Sequence, residues 1–380
     1  MEEYLTKQQE TILQQLKDVA KEFSVRAQKY DEERSFPAEN ITDLKKMKYT
    51  TLTLPQEFGG AGEGLTTFLL GQEIIAQHCG STSLAIGWHN MVILELLENK
   101  TWTEENKKKL FNEIADGALV NRAASEPATG SPTRGDRPET IALRKGDKWI
   151  LNGRKTYTSL APVLDIFLVS AWIPDEETIG WFKVYKNQSG VSIDETWDMI
   201  SMQGTGSHDL LMENVVLREE DFVERASARK ASGWLLHIPA CYLGIAMGAR
   251  NYAIQFAKTY SPNSLKGTIS ELPHIQAKIG QMELELMQSR SFLYSIAQRW
   301  EQYPEKREQM GPELAAVKTA ITNQAISIVD TAMRIVGAQS LQRKSPMQRY
   351  YRDVRAGLHN PPMDDSTLTL LAKNALEKQV

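Results

Sequence analysis

Six histidines are spread over the 380 residues, and three of them stand in patterned surroundings. These are His89 in GWHN, His208 in GTGSHD and His359 in LHNPP. An imidazole changes charge near neutral pH, so each could move a proton or steady a developing charge. Each also has a plainer use. His89 adjoins Trp88 among apolar residues, as a satisfied core histidine would; His208 could fix strand geometry; His359 could brace the Pro361–Pro362 turn. His78, His237 and His274 carry no pattern. Asp364 and Asp365 follow LHNPP closely and are either a solvated loop pair or the source of a general base. Two further stretches invite attention: Tyr157-Thr158-Ser159, readable as a strand end, and SEPATGSPTRG at 125–135, readable as a capped loop or a ligand cradle.

Composition excludes several classes. With 41% hydrophobic and 24% charged residues and a net charge of −4, the chain reads as globular. It lacks the basic excess that neutralising a nucleic-acid backbone requires. Cys79 and Cys241 are far apart and without metal-ligand spacing, so no metal is expected and a reducing, cytoplasmic compartment fits. The opening MEEYLTKQQE has no basic region followed by an apolar run. No window offers the roughly 18 apolar residues of a membrane span.

The elements that must position these residues fall into three zones. Residues 1–119 are read as a helical domain, with apolar positions at helix spacing in Leu5, Ile12, Leu13, Leu16, Val19, Ala20 and Phe23, and again over 65–76 and 91–97. Residues 120–224 form a β-domain of short runs: TIALRK, KWILNGRKTYTS, DIFLVSAWI, IGWFKVYK, GVSID and DLLMENVVL. Their regular spacing predicts an antiparallel barrel or sandwich. Residues 225–380 return to helix over 234–256, 274–300 and 313–336, with Pro262, Pro273, Pro304, Pro312 and Pro346 between the runs. The expected class is α+β, mostly α, ending in a helical bundle.

That order, with four motifs in sequence, resembles the acyl-CoA dehydrogenase family over essentially the whole chain. The motifs are LPQEFGGAG at 54–62, SEPATGSPTRG at 125–135, LNGRKTYTS at 151–159 and YRDVR at 351–355. The resemblance implies a flavin, FAD in most of the family and FMN in one branch. It implies that Tyr157 lies against the isoalloxazine ring, that Thr158 and Ser159 adjoin it with Ser159 as hydrogen-bond donor, and that Ser125, Gly130 and Ser131 serve the cofactor and the substrate. Lys266 is the only cation in YSPNSLKGT, where the family has an arginine for the pyrophosphate. A homodimer or homotetramer and an electron-transfer flavoprotein as redox partner are implied as well.

The reactive end departs from the family. Pro361 falls where a glutamate base is expected, and Trp234 occupies the alternative base position on the first long C-terminal helix. The Gly-Gly motif near the adenosine is reduced to RIVGAQS at 334–340. LHNPP, GWHN and GTGSHD resemble the two-component flavin monooxygenases, typified by dibenzothiophene monooxygenase, which take reduced FMN from a separate flavin reductase. That branch implies His89, Ser159 and His359 around the reactive edge. The leading expectation is α,β-dehydrogenation of an acyl-CoA in fatty acid metabolism, with Asp364 able to replace the base. The alternatives are a monooxygenase acting on a small hydrophobic substrate and a non-catalytic flavin-binding member.

Overall fold

A computed structural model describes residues 5–128, 137–226 and 231–377. Helix α1 (Lys7–Glu33) starts at a capping box between Thr6 and Gln9, and its buried stripe runs through Leu13, Leu16, Ala20 and Phe23. Helix α2 (Ala38–Lys46) follows, then α3 (Leu65–His78), α4 (Gly80–Glu98) and α5 (Glu104–Ala115). Helices α3 and α4 are buried on nearly every face. They are the centre of the helical layer, not its surface.

The middle of the chain forms one eight-stranded sheet in the order β6-β7-β3-β2-β4-β5-β8, with β1 pairing β4 off this path. The strands are β1 (Val120–Ala123), β2 (Ile141–Lys145), β3 (Lys148–Thr158), β4 (Ile166–Ile173), β5 (Thr178–Tyr185), β6 (Val191–Asp194), β7 (His208–Arg218) and β8 (Phe222–Arg225). Most pairings are antiparallel, as alternation and turn spacing predict. Two are parallel: β1 runs with β4, and β2 meets β4 through Ile141 and Trp172. Neither was visible in the sequence: β1 has only four residues, too few for alternation to register, and which of the strands become neighbours is not a local property.

The third zone holds α6 (His237–Thr259), entered through a 3₁₀ turn at Gly233–Leu236, then α7 (Pro273–Gln302), α8 (Gly311–Val336), α9 (Pro346–Val354) and α10 (Asp364–Glu377). A second 3₁₀ turn, Arg355–His359, joins α9 to the segment before α10. Among the described residues no helix is long and apolar enough to cross a membrane.

Helices α3 and α6 form the seam between the first and third zones. Gly244 and Gly248 of α6 lie directly over α3, where an added Cβ would stand 2.5 Å from the carbonyl oxygens of Glu73 and Gln77 respectively. Only hydrogen fits there. Gly244→Val should push the helices apart and lower the unfolding free energy by about 3 kcal/mol, as overpacking does; urea unfolding measures it, and an unchanged midpoint would show that the seam can open freely.

Candidate active site

Strand β3 ends in a backbone that few side chains tolerate. Tyr157 has φ 56° and Leu160 φ 69°, both in the left-handed region, and such positions persist only where their surroundings hold them. Here the bonds that hold them are visible. The Thr156 amide donates to the Ser125 carbonyl (2.8 Å), the Ser159 amide to the Tyr157 carbonyl (2.9 Å) and the Leu160 amide to the Thr205 carbonyl (3.0 Å). The Asn121 side chain donates to the Ser159 carbonyl at 3.0 Å. As a result the Tyr157 ring is 59% exposed, edge-on to Trp197. The Ser159 hydroxyl points inward.

That hydroxyl heads a buried chain. Ser159 Oγ lies 2.9 Å from Ser207 Oγ, and Ser207 Oγ lies 2.8 Å from Thr205 Oγ1. Thr205 donates to the Met202 carbonyl at 3.0 Å, so its oxygen is left to accept from Ser207. Ser207 has one proton; if Thr205 turns its own from Met202 to Ser207, the Ser207 proton can turn to Ser159, and the Ser159 proton is released for an outside acceptor. The chain can therefore be polarised either way. Beside it the Thr158 hydroxyl is buried and unpartnered among the described residues. An orphaned hydroxyl, an inward serine and a bare aromatic face at one strand end fit the reactive edge of a flavin.

Behind this edge lies a buried ion pair. Lys155 Nζ and Glu126 Oε1 are 2.5 Å apart, with neither side chain exposed. Glu126 also accepts from the amides of Glu139 and Thr140 and from the Thr140 hydroxyl, and Lys155 donates to Ser170. Burial draws the Lys155 ammonium down to about 8 against the pull of Glu126. Burial likewise raises the Glu126 carboxyl, but the Lys155 charge and the donors outweigh it and leave it below the ordinary range. The pair fixes the segment carrying Ser125, which is half-buried, against β3. Gly130 and Ser131 lie outside the described residues.

The histidines separate sharply. His89 is fully buried; its Nε2 donates to the Thr50 carbonyl (2.8 Å) and its Nδ1 accepts from the Val120 amide (3.1 Å). Burial draws it down to about 4. One nitrogen ties α4 to the 3₁₀ turn Tyr49–Thr51 and the other ties it to β1, next to Asn121, so in this structure His89 acts as a bracket with both nitrogens in use. His208 opens β7 opposite Thr158 and accepts the Trp197 amide at 3.1 Å, which holds the Trp197 loop. His359 is exposed at the end of its 3₁₀ turn. The following Asn360 accepts the Tyr242 hydroxyl at 2.5 Å.

No carboxylate takes up the expected base positions. Pro361 is joined to Pro362 by a cis peptide bond, and Trp234 is buried edge-on against Trp300. Asp364 is the first residue of α10, accepting from Asn323 at 2.7 Å with Lys318 Nζ 3.8 Å away. Lys266 is exposed in the loop after α6. That loop lies about 25 Å along the helix axis from Tyr242, so a single chain does not gather Lys266 with the Tyr242–His359 side of the site.

Sequence reasoning missed Ser207, Thr205, Asn121, Tyr242 and Asn360. Ser207 stood in the quoted GTGSHD, where the adjoining histidine drew attention. Tyr242 gives no signal within an apolar helix.

Three family models cover the chain in order. The acyl-CoA dehydrogenase N-terminal domain matches residues 6–118, the middle domain 121–215 and the C-terminal domain 236–360. The chain belongs to the acyl-CoA dehydrogenase family. Within that family it is 51% identical over 97% of its length, and 98% of the relative's, to the Bacillus subtilis (strain 168) protein named "Putative acyl-CoA dehydrogenase YdbM". Its fold matches butyryl-CoA dehydrogenase from Megasphaera elsdenii, with TM-score 0.86, 19% identity and coverage of 98% of this chain and 99% of that one. It also matches TdsC from Paenibacillus sp. A11-2 in complex with FMN and indole, with TM-score 0.85, 22% identity and coverage of 96% of both. This acyl-CoA dehydrogenase family member is a flavin-dependent oxidoreductase.

Two outcomes test the supports of the site. Lys155→Met strands the buried Glu126 carboxylate and should cost about 3–5 kcal/mol of unfolding free energy; a loss under 1 kcal/mol, roughly that of an exposed pair, would show the pair to be solvated. His89 ionises below its unfolded value, so its stabilising contribution is complete above about pH 6.5 and is lost as pH falls toward 4. Between pH 6.5 and 5 the wild-type protein should therefore lose about 2 kcal/mol more than His89→Asn. Parallel pH profiles from urea unfolding would show that His89 does not titrate as a buried group.

Proposed function

We propose that this family member is a flavin-dependent monooxygenase that takes reduced FMN from a reductase and oxidises a small apolar or aromatic substrate. The observation that carries the reading is the reactive loop itself. Where a thioester dehydrogenase needs a carboxylate to remove an α-proton, the loop holds Pro361 and the helix entry holds the enclosed Trp234. The group the loop does present is the exposed imidazole of His359.

The residues then divide the work. Tyr157 offers an exposed ring face for the isoalloxazine, and Ser159, through the reversible hydroxyl chain, supplies a hydrogen bond at its edge. When bound, reduced flavin supplies the two electrons that let oxygen give one atom to the substrate and one to water. His359 provides and recovers the proton at that edge, while Tyr242 holds Asn360 and so fixes the loop. The RIVGAQS segment and Lys266 in place of an arginine suit the shorter FMN better than FAD.

A second reading, acyl-CoA dehydrogenation passing electrons to an electron-transfer flavoprotein, is favoured by the designation of the 51% identical relative. It would use Asp364 as base after release from Asn323 and Lys318.

The two readings part on one experiment. Oxidised holoprotein mixed anaerobically with short, branched and aromatic acyl-CoAs should keep its flavin colour, whereas rapid bleaching by any of them sinks the monooxygenase reading. With reduced FMN, oxygen and indole as probe, oxygenated product is expected, and His359→Ala should lower product per oxygen consumed by roughly 10²-fold. An unchanged yield would remove His359 from the reaction.

A further inference from the structure

Met202, in the loop between β6 and β7, stands in the left-handed region with φ 53° although it carries a full, buried side chain. Such a backbone persists only where its surroundings hold it. Here both of its backbone polar groups are held. The amide donates to the Asp353 carboxylate of α9 at 2.6 Å. The carbonyl accepts the Thr205 hydroxyl at 3.0 Å, the Thr205 amide at 3.1 Å and the Trp197 indole at 3.1 Å. Two residues earlier, the Ile200 carbonyl accepts from Arg352, also on α9, at 2.6 Å. The loop thus takes its shape from a helix of the third zone.

The Met202 carbonyl gives the buried hydroxyl chain its direction. While it accepts the Thr205 proton, Ser207 donates to Thr205 and Ser159 donates to Ser207, so Ser159 turns a lone pair outward. If the carbonyl swings away, each proton turns the other way and Ser159 becomes a donor. The two forms of a flavin need opposite partners. Reduced flavin carries an N–H at its reactive edge, and oxidised flavin a bare ring nitrogen. Whatever fixes this carbonyl selects between them.

Charge suits Asp353 to that task. An ionised acceptor holds an amide about twice as strongly as a neutral one, and Met202 needs the stronger grip against its left-handed backbone. Among the described residues, the groups facing the carboxylate are Arg349 and Arg352 on its own helix, Asp31 on α1, Cys79 between α3 and α4, and Cys241 and Tyr242 on α6. Burial outweighs the Met202 amide and the arginines and pushes the carboxyl up to about 6. Its charge is present at neutral pH and lost in mildly acid solution.

We propose that Asp353 is a positioning residue for the flavin: by holding Met202 it fixes the Ser159 hydroxyl as an acceptor, so that the site favours reduced over oxidised flavin. This rests on the reading that places Ser159 at the flavin edge.

The test reads binding without turnover, as the ratio of anaerobic affinities for reduced and oxidised FMN. Asp353→Asn keeps the shape and removes the charge, and should lower the preference for reduced FMN about 10-fold, the difference between a charged and a neutral hydrogen bond. Thr205→Val cuts the chain from Met202, so in that background Asp353→Asn should leave the ratio unchanged. An equal loss in both backgrounds, or none in either, overturns the proposal. Should Asp353→Asn not fold, pH replaces it. The wild-type ratio should then fall several-fold relative to Thr205→Val as pH drops from about 7 to about 5, across the titration of Asp353. The flavin's own titrations are common to both proteins, and parallel profiles overturn the proposal. Ser159→Ala separates the two failures. A ratio it leaves unchanged, or no binding of FMN at all, sinks the reading and the proposal together. A ratio that Ser159→Ala shifts while Asp353→Asn does not sinks the role of Asp353 alone.

Discussion

The site depends first on the buried pair of Lys155 and Glu126. A charge taken into a protein interior is tolerated only when it is paired and its remaining valences are satisfied. Glu126 meets that condition with an ammonium, two backbone amides and a hydroxyl. Those donors come from β3 and from the segment entering β2, while Lys155 reaches β4 through Ser170. One carboxylate thus collects three neighbouring strands and the segment that carries Ser125. The left-handed turn at Tyr157 can exist because the strand behind it cannot slide, and the exposed ring and inward hydroxyl both follow from that turn.

A second constraint joins the sheet to the helices. Met202, whose carbonyl ends the Ser159 hydroxyl chain, turns its amide to the Asp353 carboxylate at 2.6 Å. Asp353 is the acid of the YRDVR motif, and burial pushes it up to about 6. The residues just after it form the turn that presents His359. The two sides of the candidate site are therefore tied through a single residue of backbone, and the close approach of α6 to α3 at Gly244 and Gly248 fixes the wall behind them.

The histidines show how much depends on enclosure. His89, His237 and His359 are the same chemical group, yet one is a bracket with both nitrogens used, one is buried with no hydrogen-bond partner among the described residues and one is exposed. Local sequence ranked them in a different order. GWHN and LHNPP drew notice as motifs, while His237 sat in an apolar run with nothing to mark it. Hydrogen bonding to Thr50 and Val120 joins positions 39 and 31 residues away from His89. No local pattern encodes such partners.

By itself the sequence determined the three zones, the long helices, most strands and the family, because period and turn chemistry are local and their order is specific. It also located the strand end at Tyr157-Thr158-Ser159. Tertiary structure decided which polar groups face one another: the parallel pairings of β4, the Ser159–Ser207–Thr205 chain, the placing of His89 between Thr50 and Val120, and the burial of His237. Burial and hydrogen-bond partnership are sums over residues distant in the chain. They set what an imidazole or a hydroxyl can do, and only the folded neighbourhood supplies them.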